Sequence, residues 1–198
     1  MPRIPLPGPD EMNEAQRRLY DSVVSGPRGR MIGPLRAIIH SPELAALWSS
    51  FGEYLRYRTC LPSALKELAI IVTARRWTSQ VEWWVHAKAA ANAGIAESII
   101  AAIHSGQAPV FHDLSEADVY DFARQLQMTG TVAQEIYDRV LAQHGAQGVV
   151  ELTAVIGYYT MVSMTLNVHE IPLPKGEAPA LARIGSDGLT ELPEARRP

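Results

Sequence analysis

Apolar residues recur every three to four positions along most of the chain, and no run alternates apolar with polar in the manner of a strand. An all-α bundle of about six to eight helices follows. Met12, Ala15, Leu19, Tyr20 and Val23 share one side of a helix expected over Glu11 to Ser25, which Gly26-Pro27 ends. The stretch Gly26-Pro27-Arg28-Gly29-Arg30 and the pair Gly33-Pro34 are turn chemistry, and the loop is basic enough to hold an anion, although a solvated turn is its ordinary role. Ser41-Pro42-Glu43 reads as an N-cap with proline at the first helical position, opening a helix whose Leu44, Leu47, Trp48, Phe51 and Leu55 face a core.

A break from Thr59 to Pro62 precedes a helix over Ser63 to Arg76. Trp77-Thr78-Ser79 opens the next, which stops at the C-cap glycine Gly94. A short helix to His104, a loop from Ser105 to Leu114, and helices opening at Ser115, at Thr131 and near Ala146 complete the pattern, the first two of these three behind polar caps. Residues 1–10 read as an N-terminal arm, 11–170 as one domain, and 171–198 as a Pro- and Gly-rich C-terminal arm or disordered end without a fold of its own.

Length and composition narrow this further. A chain of 198 residues, 47% hydrophobic, has the material for one complete core. Eighteen basic and 21 acidic residues, spread without blocks for a net charge of −3, give no footprint for nucleic acid. The single cysteine, Cys60, excludes an intramolecular disulfide, and Met1 to Asp10 lacks the apolar core of a signal peptide, so a reducing cytoplasm is expected. Leu152 to Val168 is apolar enough to suggest a membrane span. Its small polar residues and its length, short of the roughly 20 residues a bilayer needs, favour a buried helix of a soluble protein.

The candidate chemistry sits on the helical hairpin. Glu82 and His86 are four residues apart, hence on one helix face and within reach of a shared proton. A carboxylate beside an imidazole raises its pKa and fixes its orientation, as a general acid or base near neutrality requires. Trp83 and Trp84 flank the pair, and Glu67 stands in the otherwise apolar run around Leu65 and Leu68 to Val72 on the preceding helix. If the two helices pack antiparallel, Glu67 reaches the same pocket. Against this stands the ordinary reading, a solvated Glu-His pair on a helix surface. Metal binding is not expected, because the His-Glu-x-x-His arrangement is absent and one Glu with one His gives at most two ligands.

The segment Leu65-Lys66-Glu67-Leu68-Ala69-Ile70, then Ser79-Gln80-Val81-Glu82-Trp83-Trp84-Val85-His86 and an Ala-rich helix to Ala93-Gly94, resembles the signature of the carboxymuconolactone decarboxylase family. In its alkylhydroperoxidase D-like branch a Glu precedes a Cys-x-x-Cys pair and a His, positions that correspond here to Glu67, Ser79, Glu82 and His86. Both cysteines are missing, which removes thiol peroxidase chemistry, and Cys60 lies outside the motif. Gly26-Pro27-Arg28-Gly29, His40-Ser41-Pro42-Glu43-Leu44, and Gly157-Tyr158-Tyr159 with Leu166-Asn167 resemble the branch carrying Glu-Trp-x-x-His instead.

The resemblance implies an all-α, alkylhydroperoxidase D-like domain over 11–170, assembled as a homotrimer or hexamer. A nearly all-apolar Val149 to Val168 stretch, with more surface than one small chain covers, fits that expectation. It also implies a cofactor-independent decarboxylation on a small carboxylated lactone or unsaturated acid, with Glu67, Glu82 and His86 as catalytic residues. Arg56 or Arg58 is then the candidate for a substrate carboxylate, and Trp83, Ser79, Tyr158 and His169 are further pocket candidates. An isomerase or hydrolase using the same residues, and a non-catalytic oligomeric binding protein, remain the alternatives.

Overall fold

A computed structural model describes residues 1–26, 29–182 and 189–197, and turns nearly every apolar period into helix. The elements are α1 (Glu14–Ser25), α2 (Leu35–Ile38), α3 (Pro42–Tyr57), α4 (Ser63–Arg76), α5 (Gln80–Asn92), α6 (Glu97–Ser105), α7 (Leu114–Thr129) and α8 (Gln134–Val168). Among the described residues there is no strand beyond a single parallel bridge between Val110 and Arg196. Pro27, Arg28, the stretch 183–188 and Pro198 lie outside them, and with them part of the basic loop and of the C-terminal arm.

α4 is the axis of the fold. It is apolar on almost every side, eleven of its fourteen residues are buried, and it packs against α5, α6, α7 and α8. One core lies on the side of α6 and α7, around Leu68, Ile71, Val72, Trp83, Ile103 and Phe122. A second lies on the side of α1 to α3, around Leu19, Ile38, Trp48, Ile70, Val81 and Tyr159. α8 serves both. By length and composition α8 is apolar enough to cross a bilayer, yet Leu152 and Ile156 enter the first core and Val155 and Val162 the second. It consists of two helices joined across Gly145, whose φ of 67° only glycine adopts readily, so the break expected near Ala146 falls there.

Several helix starts differ from expectation. α1 begins at Glu14, because Asn13 and Gln16 exchange reciprocal side-chain bonds of 3.0 Å that leave Met12 outside the helix. Pro42 opens α3 as read, but the Ser41 hydroxyl makes no capping bond. α7 starts at Leu114 behind a polar cap, Asp113, as expected, whereas α8 starts at Gln134 with no side-chain cap because its N-cap residue, Ala133, has no acceptor in its side chain. The stripe on α3 divides. Trp48 and Leu55 are buried, whereas Leu44, Leu47 and Phe51 point outward, with Leu47 73% exposed.

The C-terminal arm has no helix, but it is fastened along its described length. Leu181 and Leu192 are buried in the first core. Arg75, fully buried, donates through Nη2 to the Ala182 carbonyl and to Thr190 Oγ1, at 2.8 and 2.7 Å. Arg197 bridges Asp118 and Asp121 of α7 at 2.8 and 3.0 Å. The arm is therefore packed structure rather than a loose end. The N-terminal arm is pinned in turn, Arg3 N–H donating to the His169 carbonyl at 2.9 Å and the Arg3 guanidinium pairing with Glu170.

Candidate active site

The hairpin that carries the candidate residues is closed by a tight reversal. Thr78 sits at φ 47°, a left-handed conformation that costs a β-branched residue on the order of 1–3 kcal/mol, and Ser79 N–H bonds back to the Ala74 carbonyl at 2.9 Å. The Thr78 hydroxyl meets Thr190 of the C-terminal arm at 3.3 Å, which helps hold the strained turn. α5 consequently runs back along α4 and sets His86 opposite Glu67.

His86 is held between two carboxylates. Its Nδ1 lies 2.7 Å from Glu67 Oε2 and its Nε2 lies 3.4 Å from Glu82 Oε2. All three residues are buried. Burial alone pulls the imidazole pKa down, but the hydrogen bonds that His86 donates to Glu67 and Glu82, and the charges of those carboxylates, outweigh it and push His86 up to about 9. The ring packs edge-on against Tyr159 with centroids 4.9 Å apart. Burial and the nearby Glu82 hold the Tyr159 phenol well above its usual range, so it stays neutral.

Above His86 and Glu82 opens a cavity of about 350 Å³, floored by α5 and α8 and walled by the loop before α2, α2 itself and Pro172 and Pro174 of the C-terminal arm. That volume suits a small molecule of one ring. Arg56 and Tyr158 line it. Glu67 does not; it stands behind His86 and holds Nδ1.

The other expected pocket residues lie elsewhere, for local reasons. Trp83 shares the α5 face of Ala87 and Ala90, packs in the first core and meets His104 at 5.4 Å, while Trp84, one residue on, reaches the cavity wall. Ser79 is fully buried at the hairpin turn, its hydroxyl without a partner. Arg58 is drawn over the Tyr54 ring at 5.2 Å, and His169 ends α8 beneath the N-terminal arm. Of the two tryptophans expected to flank Glu82 and His86 only Trp84 lines the cavity, whereas Tyr158 and its neighbour Tyr159 both do. Tyr159 and Arg36 were not among the expected site residues. Among the described residues no group of three or more His, Cys, Asp or Glu is arranged to hold a metal ion.

No family model matches the sequence, and no curated protein matches it. Its backbone does match solved structures. One is the crystal structure of an alkylhydroperoxidase AhpD core, an uncharacterized peroxidase-related protein of Ralstonia eutropha JMP134, with a TM-score of 0.70 and 13% identity over 88% of this chain and 93% of that one. The fold is alkylhydroperoxidase D-like. At that identity the likeness concerns the backbone, and the site must be read from its own residues. In this alkylhydroperoxidase D-like hairpin the site offers an imidazole and two carboxylates and no thiol. Cys60 lies on the α3–α4 connection, outside the cavity, and its hydrogen bond to Glu151 pushes the thiol pKa up, away from a nucleophilic thiolate.

Proposed function

We propose that this chain is a cofactor-independent acid/base enzyme that decarboxylates a small carboxylated lactone or unsaturated acid. The observation that carries the reading is the His86 imidazole, clamped between Glu67 and Glu82 at the floor of a small cavity and protonated at neutral pH. Such a group is poised to give a proton. Arg56, on the same cavity, holds the substrate carboxylate region by paired N–H donors. The bond to the leaving carboxylate breaks, its electron pair passes into the conjugated unsaturation, and carbon takes the proton from Nε2 of His86 as carbon dioxide departs. Glu82 steadies Nε2, Glu67 fixes Nδ1, and water returns the proton. Thiol peroxide reduction is not proposed, since Ser79 and Glu82 stand where that chemistry needs cysteines.

The experiment is carbon dioxide release and ultraviolet loss from a panel of carboxylated muconolactones and unsaturated acids, with the parent beside Glu82→Gln and His86→Asn. Turnover in the parent that falls by about 100-fold or more in both folded variants supports the reading. Turnover without carbon dioxide release would make the protein an isomerase where mass is conserved or a hydrolase where water is added, and turnover untouched by both variants would sink the assignment.

We further propose that the protein works as a cytoplasmic homo-oligomer. Val150, Gly157, Met161, Met164 and Val168 of α8 are exposed at alternating spacings of a coiled-coil seam, with Ala154 half-buried among them. Leu44, Leu47 and Phe51 add exposed apolar surface on α3.

A further inference from the structure

Two anchors of the C-terminal arm lie some way apart along the chain. The first is Ile171, buried in the second core, where α8 ends in a Schellman turn: Ile171 N–H donates to the Leu166 carbonyl at 3.0 Å and Glu170 N–H to that of Asn167 at 3.2 Å, with Glu170 at φ 50° where glycine is usual. The second is residues 180–182, where His104 Nε2 donates to the Ala180 carbonyl at 3.0 Å and the Gln80 side chain bonds the Leu181 N–H and carbonyl at 2.9 and 2.7 Å. Between them, residues 172–179 are exposed except for Leu173, which is half-buried against the second core. Among the described residues no hydrogen bond or ion pair joins this span to the rest of the protein, and Pro172, Pro174 and Pro179 have no N–H to offer.

The span separates two spaces. Pro172 and Pro174 wall the cavity of about 350 Å³ above His86. Pro172, Leu173, Glu177 and Pro179 also border a wider cleft of about 890 Å³, bounded besides by Trp77, Val81 and the end of α8. Pro172 and Val81 line both, so cavity and cleft adjoin there. The two prolines fix their own φ and keep 172–174 stiff. Beyond them Glu177 N–H closes on the Pro174 carbonyl at 3.1 Å, around Gly176 at φ 93°, a value that glycine permits. The span is therefore a stiff arm with an elbow at Gly176.

We propose that residues 172–179 are a lid on the cavity, latched by Leu173, and that lifting it joins cavity to cleft and admits a small molecule from the cleft side. A stretch held by one half-buried apolar side chain and by no hydrogen bond to its surroundings opens at far lower cost than the anchors on either side of it. Closed, it keeps water from the cavity wall; open, it leaves the anchors and both cores in place. The inference stands on the geometry of the arm and not on which reaction the cavity performs.

The test is thiol labelling of the whole chain carrying Cys60→Ser and Val162→Cys, the latter at a position 2% exposed on the cavity wall. Iodoacetamide should reach that thiol slowly, and Leu173→Ser should raise the rate about tenfold or more, because labelling follows the population of the open form. Pro172→Gly with Pro174→Gly, which loosens the arm and leaves Leu173 in place, should raise it too. Two comparisons separate the lid from a general loosening. A thiol placed by Ile103→Cys, 1% exposed in the first core, should react no faster when Leu173→Ser is added, and Met31→Ser, on the cavity wall before α2, should leave the Val162→Cys rate unchanged. Labelling of Val162→Cys as fast as a free thiol, a rate moved by neither arm variant, or an equal rise with Met31→Ser or at Ile103→Cys would overturn the proposal.

Discussion

The 2.7 Å contact between Nδ1 of His86 and Oε2 of Glu67 joins α5 to α4 beneath the cavity, and it couples the protonation of the site to the stability of the fold. In the unfolded chain His86 titrates near 6.5, and in the folded one near 9. A raised folded pKa means that the stabilisation is fully present below the unfolded value and is lost as pH rises through the folded one. Urea denaturation should therefore show stability falling between about pH 6.5 and 9, by on the order of 3 kcal/mol. His86→Gln should flatten that stretch of the profile, and an unchanged slope in the variant would remove His86 as its source.

Glu67 touches His86 without lining the cavity, so it positions the acid rather than meeting substrate. Glu67→Gln keeps the shape but withdraws one charge and weakens the bond to Nδ1. The basic limb of the pH–rate profile should then move down by about one pH unit or more, with KM little changed. A lowered rate with an unmoved limb would leave Glu67 a merely structural role.

Spacing made the hairpin legible: Glu82 and His86 share a face at four residues, and an acid inside the apolar α4 demands a partner. Helical phase between neighbours was less legible. Trp83 and Trp84 differ by about 100° of rotation, and only the packing partners decide which one turns to the cavity. The stripe on α3 misled because that helix is apolar on two sides, one for Trp48 and Leu55 and another left outside for Leu47 and Phe51. Proline and glycine content likewise concealed that Leu181 and Leu192 are core residues, since long-range burial of an extended segment has no period.

Glu151 was passed over inside the apolar stretch of α8, yet it accepts from Tyr54 Oη and from the Cys60 N–H, both at 2.7 Å. Burial raises its pKa, but these bonds and that from Gln147 prevail and hold it at about 2. A depressed folded pKa stabilises above the unfolded value of 4.5 and is lost as pH falls toward 2. Glu151→Ala should cost about 1–3 kcal/mol at pH 7, because it leaves the Cys60 N–H and the Tyr54 hydroxyl without their acceptor. The deficit relative to the parent should narrow in thermal melts below pH 4.5. A deficit that stays constant down to pH 2 would assign the effect to packing instead.

Leu181 and Leu192 test whether the C-terminal arm belongs to the core. Each is buried, at 4% and 3% exposure, among side chains of the α4 to α7 side. Leu181→Ala and Leu192→Ala should each lower unfolding free energy by about 2–5 kcal/mol, as truncation of a packed leucine does. Changes within about 0.5 kcal/mol would mean a loosely attached arm.

Gly157 offers a cleaner test of assembly than a charge placed on the seam. A Cβ built at Gly157 meets nothing within 4 Å in the single chain, so a side chain there finds open space on the exposed face of α8. Replacing a mid-helix glycine also favours the helix, by up to about 1 kcal/mol. In a lone protomer Gly157→Met should therefore be neutral or stabilising. In an oligomer whose partner helix approaches between Ala154 and Met161, the same methionine forces the backbones apart. Sedimentation should show Gly157→Met shifted toward the monomer at concentrations where the parent is assembled, with the helical circular dichroism unchanged. A parent that sediments as a monomer, or a variant that assembles like the parent, would place the seam outside any self-association.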